Sequence, residues 1–154
     1  MTFHPKGDII YTMNLEELQA QADKDLVIDD TELDTESLKT PILHNKYLQY
    51  YNKFNLLLKK SQWEERTLNR EKWEYYTGKS DPSVYKEKPF DLKVLKADVH
   101  IYISSDVDLQ KIQAKVVYQE AIVYYLEQIL KIINNRSFTI KNAIEWRRFT
   151  SGAL

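Results

Sequence analysis

Between residues 59 and 73 the chain reads KKSQWEERTLNREKW, a run in which cations alternate with indoles. On a helix, which turns about 100° per residue, Lys59, Trp63, Arg66, Arg70 and Trp73 fall within ~40° either side of one line. Ammonium and guanidinium groups along such a line can neutralise successive phosphates, and an indole offers a flat face on which any base can stack. Single-stranded nucleic acid asks for that pairing of chemistries. The same residues would also make an ordinary solvated face carrying two amphipathic tryptophans. Salt-sensitive binding to an oligonucleotide separates the two readings.

Nothing comparable supports catalysis. The three histidines, His4, His44 and His100, are scattered, and the absence of cysteine removes thiol chemistry, disulfides and Cys/His metal sites. Asp30, Glu32 and Asp34 alternate as calcium ligands do, but Thr35 stands where the loop needs glycine and Pro41 where it needs its last acid. Gly78-Lys79-Ser80 imitates the end of a phosphate-binding loop. The first glycine of that motif would fall at Trp73, and the tripeptide follows a helix where a strand is required. No GxSxG or GxGxxG occurs, and the carboxylates sit in charge-mixed settings typical of surface ion pairs. The sequence therefore reads as a binding protein, with no enzyme activity, cofactor or metal expected.

The elements that must carry the basic-aromatic line follow from periodicity. Thr40 to Gly78 reads as one helix about 55 Å long, with Thr40 as cap, Pro41 in the first turn and Gly78 beyond the end. Leu43, Tyr47, Tyr50, Phe54, Leu57, Ser61 and Leu68 form its inward stripe, opposite the cations and indoles. Residues 1–12 read as a disordered leader. Asn14 with Glu17 opens a short helix, Leu15 to about Lys24, through a capping box. An acidic connector (25–36) follows, and residues 78–90 read as a loop. Asp91 to Ile103 reads as a short helix passing into an extended segment, since Val99, Ile101 and Ile103 alternate. Ser105 caps a second long helix, Asp106 to about Asn134, with Asp108 at the capping-box position. Asn134-Asn135 ends it before a terminal helix, Phe138–Ser151. The fold class is all-α: two long helices with short N- and C-terminal ones.

Charge is segregated although the net charge is only −1. Residues 14–36 hold nine acids and one base, whereas residues 37–79 hold nine bases and four acids. This divides the chain into an acidic arm with a basic helix (13–90) and a C-terminal helical region (91–154). No apolar run approaches the ~20 residues of a membrane span. The second long helix is apolar on two sides. One stripe is Leu109, Ile112, Val116, Val123, Leu126, Leu130 and Ile133; the other includes Val117, Ala121, Tyr125 and Ile132. A helix apolar most of the way round is buried on most sides, either at the centre of a small bundle or, as favoured here, against copies of itself. The first stripe is taken as the oligomerisation surface.

Leu15-Glu16-Glu17-Leu18-Gln19, Val27-Ile28-Asp29-Asp30-Thr31, Trp73-Glu74-Tyr75-Tyr76-Thr77-Gly78, Arg136-Ser137-Phe138-Thr139-Ile140-Lys141 and Arg147-Arg148-Phe149 stand in an order that resembles the UvsY family of phage recombination mediators. The resemblance covers nearly everything after Met13 and is weakest from Val94 to Val117. It implies a non-enzymatic accessory of homologous recombination, repair and recombination-dependent replication in the cytoplasm of the infected bacterium. Such a protein binds single-stranded DNA and forms a ring-like homo-oligomer of six or seven subunits. It loads a RecA-like recombinase onto strands coated by single-strand-binding protein. By the family's motif, which precedes a Tyr-Tyr-small-Gly turn, Arg70 and Lys72 are carried over as DNA contacts, although Lys72 lies off the basic-aromatic line on ideal helix geometry. The alternative from another class is a helical oligomeric scaffold that binds only proteins.

Overall fold

The computed structural model describes residues 13–152, so the leader expected at residues 1–12 lies outside the described residues. The described residues form five helices and no strand: α1 (Leu15–Asp25), α2 (Leu33–Tyr76), α3 (Pro82–Glu87), α4 (Val99–Ser104) and α5 (Val107–Thr150). Residues 13–54 and 122–152 pack as one compact unit, and Asn55–Ala121 as a second. This division differs from the linear scheme of 13–90 and 91–154, because each long helix contributes to both units.

In the first unit, α1 opens as its sequence requires. The Asn14 side chain accepts the Glu17 N–H at 2.8 Å, and the Asn14 N–H donates to the Glu17 carboxylate at 2.9 Å. Leu18 and Ala22 turn inward to meet a core that includes Tyr47, Phe54, Leu126, Ile129, Ile133 and Ile140. Asp25 accepts hydrogen bonds from Lys46 at 2.6 Å and from the Tyr47 hydroxyl at 2.9 Å. Burial and the bond to Asp25 push the Tyr47 hydroxyl far above its usual range.

Two long-helix boundaries differ from the sequence reading, and one enclosed ion pair lies close to both. α2 begins at Leu33, well before Thr40, and contains Pro41. An interior proline removes an N–H donor and costs ~3 kcal/mol. That cost is offset where the early turns are fixed by packing: Leu33 is buried, and Glu36 pairs with Arg136, both enclosed. The Arg136 guanidinium also donates to the carbonyls of Leu26 and Val27, at 3.1 and 3.4 Å. These bonds anchor α5 just beyond Asn134-Asn135, which lie inside the helix. A helix break there would lift Arg136 and Ile140 out of the core, and asparagine's modest helix penalty, well under 1 kcal/mol, does not outweigh that. The expected terminal helix is thus the last part of α5.

In the second unit α2 and α5 run antiparallel, with Glu64 facing Lys115 at 3.6 Å and Lys72 facing Asp108 at 2.7 Å. Leu58, Ser61, Val99, Leu109 and Val116 are buried here. α2 is stopped by Gly78, which lies two residues beyond its last turn and whose φ of +75° favours glycine. The Lys79 N–H bonds the Glu74 carbonyl at 2.8 Å and the Gly78 N–H bonds the Tyr75 carbonyl at 3.3 Å, which closes a Schellman turn.

The expected loop contains α3, started by Pro82 at the first turn and by the Asp81 carboxylate accepting the Ser83 N–H. Tyr85 stacks on Tyr75 with ring centroids 5.5 Å apart. The segment read as a helix running into an extended stretch is the reverse: residues 91–95 are irregular and Val99–Ser104 is helical, with Val99 anchored in the core. The cap of α5 is Asp106, not Ser105. The Asp106 carboxylate accepts the N–H groups of Asp108 and Leu109, while the Ser105 hydroxyl closes α4 on the Ile101 carbonyl.

The stripe assigned to oligomerisation is the chain's own core. Leu109, Val116, Val123, Leu126 and Ile133 are buried, and Ile112 and Leu130 are half-buried. One chain thus supplies enough apolar surface to cover most of that side of α5.

Candidate nucleic-acid interface

The inward stripe of α2 fixes what the helix shows on its other side. With Leu58 and Ser61 buried, Lys59, Trp63, Arg66, Arg70 and Trp73 all emerge on the exposed side of α2 in the second unit. Trp63 is 63 % exposed and Trp73 42 %. Beside Trp63 lies a shallow hollow of about 380 Å³ bounded by Lys60, Glu64, Thr67 and Leu68.

The cations of this face are lightly partnered. The Lys59 ammonium reaches only the neutral Gln62 side chain, at 3.5 Å, and Arg66 makes no ion pair among the described residues. Arg70 lies 3.8 Å from Glu74 with both groups solvent-accessible, a pairing worth little in water. These charges remain available to an external polyanion.

Lys72 is placed elsewhere. Its ammonium sits 2.9 Å from the Asp106 carboxylate and 2.7 Å from that of Asp108, with the side chain only 15 % exposed. Tyr76 donates to the same Asp106 oxygen at 2.8 Å. Burial by itself would raise the Asp106 carboxyl, but bonds from Lys72, Tyr76 and the Leu109 N–H outweigh it and hold the group below the ordinary carboxylate range. The bond from Lys72 likewise lowers Asp108. Burial would lower Lys72, yet its two aspartates raise it, and burial with the Asp106 bond pushes Tyr76 up to about 12. This cluster ties the last turns of α2 to the start of α5. The face therefore gathers five of the six sequence-derived residues, and Lys72 points into the packing between helices.

A residue that the sequence reading passed over joins the face from beyond the helix. Lys79 extends its ammonium over the Trp73 ring, 4.2 Å from the centroid. A helical projection stops at Gly78 and cannot show this; the Schellman turn implied by Gly78 was the one available signal. Among the described residues, no three His, Asp or Glu side chains are placed to share a metal ion, and no helix is long and apolar enough to cross a membrane.

A helical frame that buries one side of α2 and bares a line of cations and indoles on the other defines a protein built to bind, with geometry suited to a flexible polyanion. A sequence model of a family described as recombination, repair and ssDNA binding protein UvsY matches residues 21–153. The chain belongs to the UvsY family of phage recombination mediators. It is 24 % identical over 140 residues to the recombination protein uvsY of Enterobacteria phage T4, which spans 91 % of this chain and 99 % of that one. Crystal structures of the bacteriophage T4 recombination mediator protein UvsY share the fold. That in lattice type II has a TM-score of 0.81 at 24 % identity, covering 90 % of this chain and 98 % of the other. That in lattice type IV has a TM-score of 0.80 at 24 % identity, covering 89 % and 99 %.

Proposed function

We propose that this protein binds single-stranded DNA along the Lys59–Trp73 side of α2 and, without chemistry of its own, presents the strand to a RecA-like recombinase. The observation that carries the reading is that Lys59, Arg66 and Arg70 remain essentially unneutralised beside two exposed indoles. Arg70 keeps the contact that the family's motif assigns it; Lys72 serves chiefly to set the helix that carries the others. The DNA substrate is a strand coated by single-strand-binding protein, and the setting is the cytoplasm of the infected bacterium.

Strand binding gains by avidity when one assembly displays many copies of a weak, reversible contact. A homo-oligomer of six or seven subunits fits that need. The last part of α5 supports it. Opposite the buried Leu126, Ile129, Ile133 and Ile140, the same helix exposes Ile132, Phe138, Trp146 and Phe149 within an arc of about 120° on ideal geometry. Trp146 and Phe149 stack at 5.8 Å. Exposed aromatics in a contiguous arc mark an interaction surface. Replacing Trp146 and Phe149 by aspartate is expected to yield smaller particles by light scattering with the helix content unchanged. Parent-sized particles from folded variants would remove this arc from the assembly.

Binding itself is tested with a fluorescent oligonucleotide titrated at several salt concentrations. The expected result is tight binding of single strands that falls steeply with salt. Absence of any salt-sensitive binding by a folded oligomer would leave only the protein scaffold.

A further inference from the structure

The lysine that completes the basic-aromatic face at its C-terminal end has to be exposed, uncommitted to a carboxylate and aligned with Arg70 and Trp73. Lys72 meets none of these conditions: it is enclosed, it is bonded to Asp106 and Asp108, and it lies off the line. Lys79 meets all three. It is exposed, it makes no ion pair among the described residues, and its ammonium lies over the Trp73 ring at 4.2 Å. Its position follows from the backbone. The Gly78 turn reverses the chain, and the Lys79 N–H is anchored to the Glu74 carbonyl at 2.8 Å, so the side chain returns along α2 toward Trp73.

We infer that Lys79 is a DNA-binding residue of this face, acting with Trp73 as one unit: the ammonium covers the indole in the free protein and moves to a phosphate when a base stacks on the ring. A cation over an indole at an exposed site is held only weakly, so a stacking base and a phosphate can replace that contact together. An aspartate partner would not release the lysine so readily, which is why Lys72 stays and Lys79 moves. The exchange keeps Trp73 from packing against its own chain and leaves one uncompensated charge at the point where the strand passes the helix end.

This inference rests on the strand following the Lys59–Trp73 face, so three full-length variants are compared: Lys79→Ala, Lys72→Ala and Arg66→Ala. For each, oligonucleotide affinity is measured against salt and folding is followed by thermal melting. Lys79→Ala is expected to weaken binding several-fold at low salt and to make the log–log salt dependence shallower by about 0.7 per strand-contacting subunit, with the melting midpoint unchanged. Lys79→Arg is expected to restore the slope, which a purely structural cap would not do. Lys72→Ala is expected to lower the melting midpoint and leave the slope at its parent value. A parent slope for Lys79→Ala, with a shallower one for Arg66→Ala, overturns the role of Lys79 alone. Parent slopes for both overturn the face and this inference with it.

Discussion

Arg136 and Arg66 put the same side chain to opposite uses, one in each compact unit. Arg136 is enclosed, paired with Glu36 and bonded to the Leu26 and Val27 carbonyls. Arg66 stands in solvent with no carboxylate partner among the described residues. The buried cation ties α2 to α5; the displayed cation leaves its charge for another molecule. Lys72 and Lys79 repeat the contrast inside the second unit: one is held by two aspartates, the other by a ring. Cations that resemble one another in sequence thus divide into those that hold the fold and those that face outward, and burial of the opposing carboxylate decides which is which.

The contrast predicts effects of very different size. The largest falls on the buried pair. Arg136→Met leaves the Glu36 carboxylate enclosed without its partner and is expected to destabilise the protein by about 3–5 kcal/mol in denaturant unfolding. Adding Glu36→Leu is expected to recover much of that loss, because two apolar groups in place of an ion pair are often nearly neutral. No recovery in the double variant would mean that Arg136 works mainly through the two carbonyls.

The Lys72 cluster comes next. Asp106→Asn weakens the bond to Lys72 while keeping the group's size, and is expected to cost about 1–3 kcal/mol. Its pH dependence has a definite sign. Asp106 and Asp108 are held below their ordinary value of 3.8, so their contribution is complete above pH 3.8 and is lost as pH falls through the lower folded values. Lys72 is raised above 10.5, so its contribution is complete below pH 10.5 and is lost as pH rises through its folded value. Acid melts of the parent and Asp106→Asn should therefore converge well below pH 3.8. A stability gap that persists there would assign the loss to packing.

The smallest effect belongs to the displayed side chains, and it falls on binding. Trp63→Ala is expected to leave stability within about 0.5 kcal/mol and to weaken strand binding by about 1–3 kcal/mol with the salt slope unchanged. Wild-type affinity in that variant would leave α2 an electrostatic track without base stacking.

Much of this was legible in the chain. The capping box at Asn14, the glycine stop at Gly78 and the alternation of apolar and basic sides along α2 are local signals, and each held. The boundaries that failed depended on partners remote in sequence. Pro41 and Asn134-Asn135 carry the chemistry of helix ends, and both places stay helical beside packing from residues remote in sequence, including Arg136 meeting Glu36 a hundred residues away. The same limit applies to α5: periodicity shows that Leu109 to Ile133 is apolar, but cannot say whether the chain or a second copy covers it. It also could not separate Lys72 from Lys79, since one is set by Asp106 across the helix pair and the other by a turn that a helical projection does not contain.

The central claim is that the strand follows the displayed side of α2, and the salt dependence of binding by Arg66→Ala/Arg70→Ala tests it most directly. With two phosphate contacts removed from each strand-contacting subunit, the log–log slope should become shallower by about 1.4 per subunit, while particle mass and melting midpoint stay at parent values. A folded, parent-sized double variant that binds single strands with the parent affinity and slope would contradict the account.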